Sequence, residues 1–178
     1  MTSDTICAIA TAIGGAVSII RLSGPAAIAI AGRVWHGRTA LAALPARQLT
    51  LGRLCRPAGG VIDPQCLAVV MPGPHSYTGE DVVELHCHGG ALCTRLALEE
   101  LLRQGARHAD PGEFTRRAFV NGRLDLTQAE AVADIISAGS ESALRLAGRQ
   151  LEGALGRRIN ASYESLTEVL AEIESRLD

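Results

Sequence analysis

Residues 72–90, PGPHSYTGEDVVELHCHGG, hold the side chains of this chain that are best suited to chemistry. After a turn rich in proline and glycine, a carboxylate at Glu84 and imidazoles at His86 and His88 recur at every second position. A period of two is typical of a strand with one buried face. Ionisable groups on the other face fit a small-molecule site and an ordinary edge strand equally well, and the spacing leaves both open.

A metal site is the first chemistry to weigh for the His86-Cys87-His88 triplet, because imidazole and thiolate both bind zinc. On a strand, however, the two histidines share one face and Cys87 points to the other, so the triplet cannot chelate as a unit. His75 and Cys93 lie nearby in sequence, but the chain contains neither a CxxC nor an HExxH motif. We therefore expect no metal and place the thiols in the core.

Motifs for nucleophilic catalysis and for nucleotide binding are missing from the sequence. There is no G-x-S-x-G elbow, and no cysteine lies in a local activating signature, so we assign no catalytic residue. The 17 basic residues are all arginine, so the lysine that a P-loop needs is not available. Gly14-Gly15 lacks the G-x-G-x-x-G spacing of a dinucleotide site.

A group of arginines and one carboxylate remains without a named catalytic motif. Besides the two histidines, its members are Arg21, Glu84, Arg116, Arg117 and Arg123. Arginines suit a ligand that carries carboxylates, and a buried glutamate suits a heterocycle with paired N–H donors. A pterin with a glutamate tail would match both features. A set of surface ion pairs would match them equally well, and the residues alone do not choose.

The elements that must position these residues follow from apolar runs and their breaks. Strands are predicted over 5–11, 17–22, 49–55 and 65–71, and an amphipathic helix over 91–104. An Ile62-Asp63-Pro64 step is expected to interrupt the strand pattern. Ser23 is expected to cap a helix that starts at Pro25.

The last part of the chain, residues 123–178, is helical in pattern and contains no proline. Thr127 and Glu130 fit a capping box at its start. We therefore predict one domain at 1–122 and a second at 123–178. This last part is expected to form an α-helical hairpin.

Composition places the chain among globular proteins, with 47% hydrophobic residues and a net charge of −2. This charge argues against a broad nucleic-acid-binding face. The five cysteines are scattered, the first residues form no basic leader, and no apolar run approaches the ~18 residues of a membrane span. We expect a cytoplasmic protein with reduced thiols and no membrane partner.

Three long motifs resemble a known family. The stretch at 72–90, PGEFTRRAFVNGRLDLTQAEAVADII at 111–136 and IESRLD at 173–178 closely resemble the N-terminal part of the tRNA-modification GTPase family MnmE, also called TrmE. TICAIAT near the start and IIRLSG at 19–24 fit as well. The resemblance runs essentially from end to end of the chain.

This resemblance implies an α+β fold class. A folate-binding domain with a mixed or antiparallel sheet, similar to that of the glycine-cleavage aminomethyltransferase, is followed by the α-helical hairpin. In the family the folate-binding domain forms a homodimer and binds a tetrahydrofolate, in the 5-formyl or 5,10-methylene form, near the dimer interface. The family's contacting arginine falls on Arg21 and its contacting glutamate on Glu84. A lysine contact falls on Arg123, which keeps the charge but changes the geometry. Glu84 is then expected to hydrogen-bond the pterin, while Arg21 and Arg123 position the cofactor.

The resemblance also implies a helical domain that carries an inserted GTPase domain using GTP, Mg²⁺ and K⁺. The family works with the flavoprotein MnmG and places an aminomethyl or carboxymethylaminomethyl group on C5 of the wobble uridine of tRNA. Asp178 lies just short of where the inserted domain would begin. We therefore expect these 178 residues to hydrolyse no GTP by themselves.

One loop departs from the family pattern. The Thr11–Ala16 segment is shorter than the family's first glycine loop and lacks its arginine. A dimerisation and scaffold module that binds no ligand is therefore an alternative function. We interpret the Gly89-Gly90 pair as room for a ligand or for the dimer partner.

Overall fold

The chain has an α+β fold, as predicted, with a mixed sheet followed by helices. The computed structural model describes residues 4–177, apart from the side chains of Asn160 and Leu177. Within this range there are seven strands: β1 (Ile6–Ile9), β2 (Val17–Ser23), β3 (Trp35–Gly37), β4 (Thr50–Cys55), β5 (Val61–Met71), β6 (Val82–His88) and β7 (Arg107–His108). The α-helices are α1 (Ala27–Val34), α2 (Ala91–Arg103), α3 (Glu113–Val120), α4 (Leu126–Ser137), α5 (Glu141–Leu151) and α6 (Ala154–Leu177).

The described residues form two compact units that divide between Arg117 and Ala118, inside α3. The predicted domains at 1–122 and 123–178 place the boundary a few residues later, and residues 1–3 and 178 lie outside the described range. The boundary after residue 122 stays a prediction.

The sheet belongs to the first unit and has the strand order β3-β4-β5-β6-β2-β1-β7. Its neighbouring strands are antiparallel, except that β7 runs parallel to β1. The central pair, β2 and β6, stays in register over seven residue pairs. This register places Arg21 opposite Glu84, so two residues 63 positions apart in sequence become direct neighbours.

One face of the sheet forms the core together with α1 and α2. The core side chains alternate along each strand, as Ile20 and Leu22 do on β2 and Leu85 and Cys87 do on β6. Among the described residues, Trp35 is the largest fully buried side chain, and its indole N–H donates to the carbonyl of Cys66 at 3.0 Å. The alternation leaves Arg21, Glu84 and their neighbours for the opposite face.

The predicted Ser23 cap of α1 is wrong. Ser23 is the last residue of β2, and its hydroxyl donates to Glu80 Oε2 at 2.6 Å. The helix begins at Ala27 behind Ala26, and Thr5 Oγ1 accepts the hydrogen bond from the Ala26 N–H at 2.9 Å. A residue distant in sequence, just before β1, thus replaces the local cap, which the helix pattern could not show.

The predicted interruption at Asp63-Pro64 is also wrong, since β5 runs unbroken from Val61 to Met71. The register between β4 and β5 shifts here, with Gly52 facing Cys66 and Leu54 facing Asp63. Proline is tolerated at such a bulge because the ladder needs no N–H from it.

In the second unit, the capping box of α4 is displaced from the predicted one. Asp125 Oδ1 accepts from the Gln128 N–H at 2.8 Å, and Gln128 Oε1 accepts from the Asp125 N–H at 2.9 Å, so Thr127 and Glu130 are not the pair. A hydrogen bond from the Thr127 hydroxyl, followed by that from Gln128, lowers the pKa of Asp125. Helices α4 and α5 pack together, and Gln128 Nε2 donates to the Leu151 carbonyl at 2.9 Å.

Among residues 4–177, none of the helices combines the length and the apolar character that crossing a bilayer requires.

A buried ion network fixes the start of α3 in the first unit. Glu113, whose side chain is fully buried, accepts from Arg107 at 2.6 Å and from Arg117 at 3.2 Å. The hydrogen bond from Arg107 is the largest influence that lowers the pKa of Glu113, to about 2. A carboxylate held in this way stabilises the fold only while it is ionised.

Acid should therefore remove a defined part of the stability. The folded pKa of Glu113 lies below the ordinary value of 4.5, so its contribution is complete above that pH and is lost as the pH falls towards about 2. We expect a loss of about 2 to 3 kcal/mol across this window, measured by urea unfolding. Glu113→Gln should lack this component, whereas Glu99→Gln, on the exposed side of α2, should keep it. If the free energy of unfolding fell equally with decreasing pH in the unchanged chain and in Glu113→Gln, the prediction would be contradicted.

Candidate functional site

An arginine–glutamate pair lies at the centre of the sheet face opposite α1 and α2. Arg21 on β2 donates to Glu84 Oε1 on β6 through Nε at 2.8 Å and through Nη2 at 2.7 Å. The side chains are 28% and 15% exposed, so both are partly withdrawn from water yet reachable by a ligand. A charge-assisted pair in such a setting is stronger than a surface ion pair.

Two aromatic rings flank the guanidinium of Arg21. Its carbon lies 5.5 Å from the centre of the Tyr77 ring and 5.6 Å from that of the Phe114 ring, within the range of cation–π attraction. The Tyr77 hydroxyl is 2.9 Å from the Thr115 hydroxyl, which links the 72–81 loop to α3. The pair therefore has flat apolar walls as well as charge.

The two histidines of β6 have different surroundings. His86 Nε2 is 3.3 Å from Glu84 Oε2, so this imidazole borders the pair on its second oxygen. His88 is 63% exposed at the end of the strand, and its Nδ1 is 2.9 Å from Asp63 Oδ1. The shared face that their spacing predicts therefore does not place both in one site.

The remaining arginines of the sequence-derived group are dispersed. Arg117 is 3% exposed and contacts the carboxylates of Asp4, Glu80 and Glu113. Arg116 points outward, with one contact to Glu113 at 3.2 Å. These two residues belong to the ion network of α3.

Arg123 belongs to the second unit and is exposed in the turn between α3 and α4. Its backbone N–H donates to the Ala118 carbonyl at 2.8 Å, which holds the turn after the Asn121-Gly122 step. Of the three predicted folate contacts, the first unit thus joins Arg21 and Glu84, and the role of Arg123 stays a prediction.

Gly89 does not provide the room that the glycine pair suggests. A Cβ at this position would lie 2.1 Å from the Gly15 carbonyl oxygen, because the 11–16 loop packs directly on the end of β6. Backbone hydrogen bonds from Gly14 to Gly89 and from Gly89 to Ala16 hold this contact, at 3.2 and 3.0 Å. The glycine is needed for close approach of two segments of the same chain.

Tyr77 and Phe114 were missed by the sequence reasoning. A signal for them existed: the chain has only two Tyr, two Phe and one Trp, and one Tyr and both Phe lie inside the two most distinctive motifs. Scarce aromatic residues beside ionisable ones deserve weight as candidate contacts.

The site is suited to binding and not to covalent catalysis. Glu84 offers a carboxylate to paired donors, Arg21 a planar cation, and the rings offer stacking surfaces. The buried thiols of Cys7 and Cys87 are poor nucleophiles, because burial raises the pKa of each to about 12.

Comparison with known proteins identifies the family. The profile of the family described as "GTP-binding protein TrmE N-terminus" matches residues 5–123, and that of the "MnmE helical domain" matches residues 126–178. The chain belongs to the TrmE/MnmE family. Its sheet unit thus corresponds to the N-terminal part of TrmE and its last helices to the helical domain.

Individual members of the TrmE/MnmE family are similar over the whole chain. The tRNA modification GTPase MnmE of Carboxydothermus hydrogenoformans is 50% identical, that of Moorella thermoacetica 51%, and that of Symbiobacterium thermophilum 49%. Each alignment covers 100% of this chain and 39% of the relative. The chain therefore spans about two fifths of the length of these relatives.

Proposed function

We propose that this chain binds a tetrahydrofolate that carries a one-carbon group, in the 5-formyl or 5,10-methylene form. The observation that carries the proposal is the Arg21–Glu84 pair, held on an accessible sheet face between Tyr77 and Phe114. A reduced folate combines a ring with paired N–H donors, a flat surface and a carboxylate tail. Each of these parts has a counterpart among Glu84, Arg21 and the rings of Tyr77 and Phe114.

Glu84 is proposed to hydrogen-bond the pterin ring. Its Oε2 has one described neighbour, His86 Nε2 at 3.3 Å, which is long for a hydrogen bond. A carboxylate can accept two parallel N–H donors, as the ring amide and amino group of a pterin present them.

Arg21 and Arg123 are proposed to position the cofactor by charge. Arg21 is fixed by Glu84, and its guanidinium can still donate to a ligand from the edge that faces away. Arg123 keeps the positive charge of the family's lysine and is exposed, which suits the flexible glutamate tail.

The wider role follows from family membership. We infer that the full-length protein is a GTPase that uses GTP, Mg²⁺ and K⁺ and acts in the cytoplasm. The relatives are named tRNA modification GTPases, which supports a role in tRNA modification. With the flavoprotein MnmG as partner and a homodimer formed by the sheet unit, the folate would supply a carbon to C5 of the wobble uridine.

Calorimetric titration with 5-formyltetrahydrofolate tests the proposal. Saturable binding is expected, and Glu84→Gln should weaken it about 100-fold or more, because two charge-assisted hydrogen bonds are lost. Glu99→Gln, which removes one partly exposed carboxylate from α2, should bind as the unchanged chain does.

A scaffold function without a ligand predicts a different outcome. In that case Arg21 and Glu84 serve only each other, no saturable heat appears, and Glu84→Gln lowers stability alone. Equal affinity of the Glu84→Gln chain and the unchanged chain would refute the assignment of this residue.

A further inference from the structure

Three metal-ligating side chains converge between the sheet and the first turn of α2. Asp63 comes from β5, Cys87 from β6 and Cys93 from α2, and their ligand atoms all lie within 4.8 Å of one another. The Cys93 thiol donates to Asp63 Oδ2 at 3.8 Å, and Asp63 and Cys87 are buried. The cluster lies on the core-facing side of the sheet, away from Arg21 and Glu84.

The spacing of these atoms is close to that of a tetrahedral metal site. With Zn–S at about 2.3 Å and Zn–O at about 2.1 Å, neighbouring ligand atoms are about 3.6 to 3.8 Å apart. Closing the cluster around an ion therefore needs movements of no more than about 1 Å. Cys93 is only partly buried, so an ion could reach the cluster from the side of the helix.

The donor types select a particular class of ion. Two sulfur ligands and one carboxylate suit zinc and disfavour the hard cations Mg²⁺ and Ca²⁺, which prefer oxygen alone. The carboxylate of Asp63 is already oriented by His88. The backbone N–H of His88 donates to Asp63 Oδ2 at 2.7 Å, and the ring Nδ1 is 2.9 Å from Asp63 Oδ1. Carboxylates that ligate a metal are themselves hydrogen-bonded by outer groups, and His88 supplies these hydrogen bonds here.

Charge balance permits binding at this buried place. With both thiols protonated the cluster carries the single negative charge of Asp63. Each thiol releases one proton to solvent as it binds, so two thiolates, one carboxylate and a divalent ion again sum to −1. Cys93 is the third residue of α2, where the positive end of the helix dipole favours that charge.

We propose that Asp63, Cys87 and Cys93 bind a Zn²⁺ ion, with water in the fourth position and His88 as the positioning residue of the carboxylate. The sequence predicts no metal because the His-Cys-His triplet alternates between faces. The proposed site draws on Cys87 from that triplet, joined by residues of two other elements.

Cobalt titration of the reduced, chelator-treated 178-residue chain tests the site, since Co²⁺ replaces Zn²⁺ and reports sulfur ligands. Thiolate-to-cobalt charge-transfer absorption and the visible bands of tetrahedral Co²⁺ should saturate at one ion per chain and vanish on addition of Zn²⁺. Cys93→Ser should weaken Zn²⁺ binding about 100-fold or more, and His88→Ala about tenfold. Cys55→Ser, which removes a partly exposed thiol of β4 outside the cluster, should leave the spectrum unchanged.

Circular dichroism of each variant separates loss of the ligand from loss of the fold, and His88→Ala serves if Cys93→Ser does not fold. Lack of charge-transfer absorption in the reduced chain would overturn the proposal. An equal loss of charge-transfer absorption in Cys55→Ser and Cys93→Ser would also overturn the proposal.

Discussion

Arg117→Ala should lower the free energy of unfolding by about 3 to 5 kcal/mol, the largest effect we expect from one side chain. The guanidinium is 3% exposed and contacts Asp4 at 2.8 Å, Glu80 at 3.1 Å and Glu113 at 3.2 Å. Its removal leaves the buried carboxylate of Glu113 and the mostly buried carboxylate of Glu80 without their shared cation. Urea unfolding at neutral pH measures the change.

The neighbouring residue offers a matched control. Arg116 lies on the same helix, its side chain is 62% exposed and its one described ion pair is with Glu113 at 3.2 Å. Arg116→Ala should therefore cost about 0 to 1 kcal/mol. Arg117→Lys should lie between the two, because it restores the charge without the planar fork. Similar losses for Arg116→Ala and Arg117→Ala would show that the network contributes little.

Gly89→Ser should be the second severe change, with a loss of about 3 kcal/mol. The new Cβ would lie 2.1 Å from the Gly15 carbonyl oxygen and 3.0 Å from the Val17 carbonyl carbon, both of them backbone atoms. No side-chain rotation can relieve that clash, so the 11–16 loop must separate from β6.

The same substitution one residue later should be harmless. A Cβ at Gly90 meets nothing within 4 Å, and Gly90 is the N-cap of α2, a position that serine favours. Thermal unfolding of both variants makes the comparison. If Gly90→Ser were as damaging as Gly89→Ser, the contact with Gly15 would not be the cause.

Local pattern was sufficient to locate β1, β2, β4 and β6 and the polar face of β6, but it missed the short strands β3 and β7 and the first residues of β5. The alternation at 82–88 correctly separates Glu84 from Cys87, because a strand allows no other arrangement of successive side chains. The family motifs supplied the α+β class and placed Arg21 and Glu84 in one site. Their contact depends on the register of β2 with β6, which pairs residues distant in sequence.

Three of the failed predictions share one physical origin. Ser23 loses its capping role to Thr5, Pro64 is accommodated by a bulge, and Gly89 is required by the 11–16 loop. In each case a contact with a residue from another part of the chain determines the local structure, and local sequence propensity does not include such contacts. Tyr77 and Phe114 flank Arg21 for the same reason.

The support around Arg21 has a consequence for affinity. Its side chain is held by Glu84 and by two rings of its own chain, so folding has already removed much of its rotational freedom. An arginine that is ordered only on binding would cost about 0.5 to 1.5 kcal/mol of entropy at that step. Sparing this cost corresponds to an affinity about two- to tenfold higher. The two rings therefore raise the affinity even for a ligand that does not contact them.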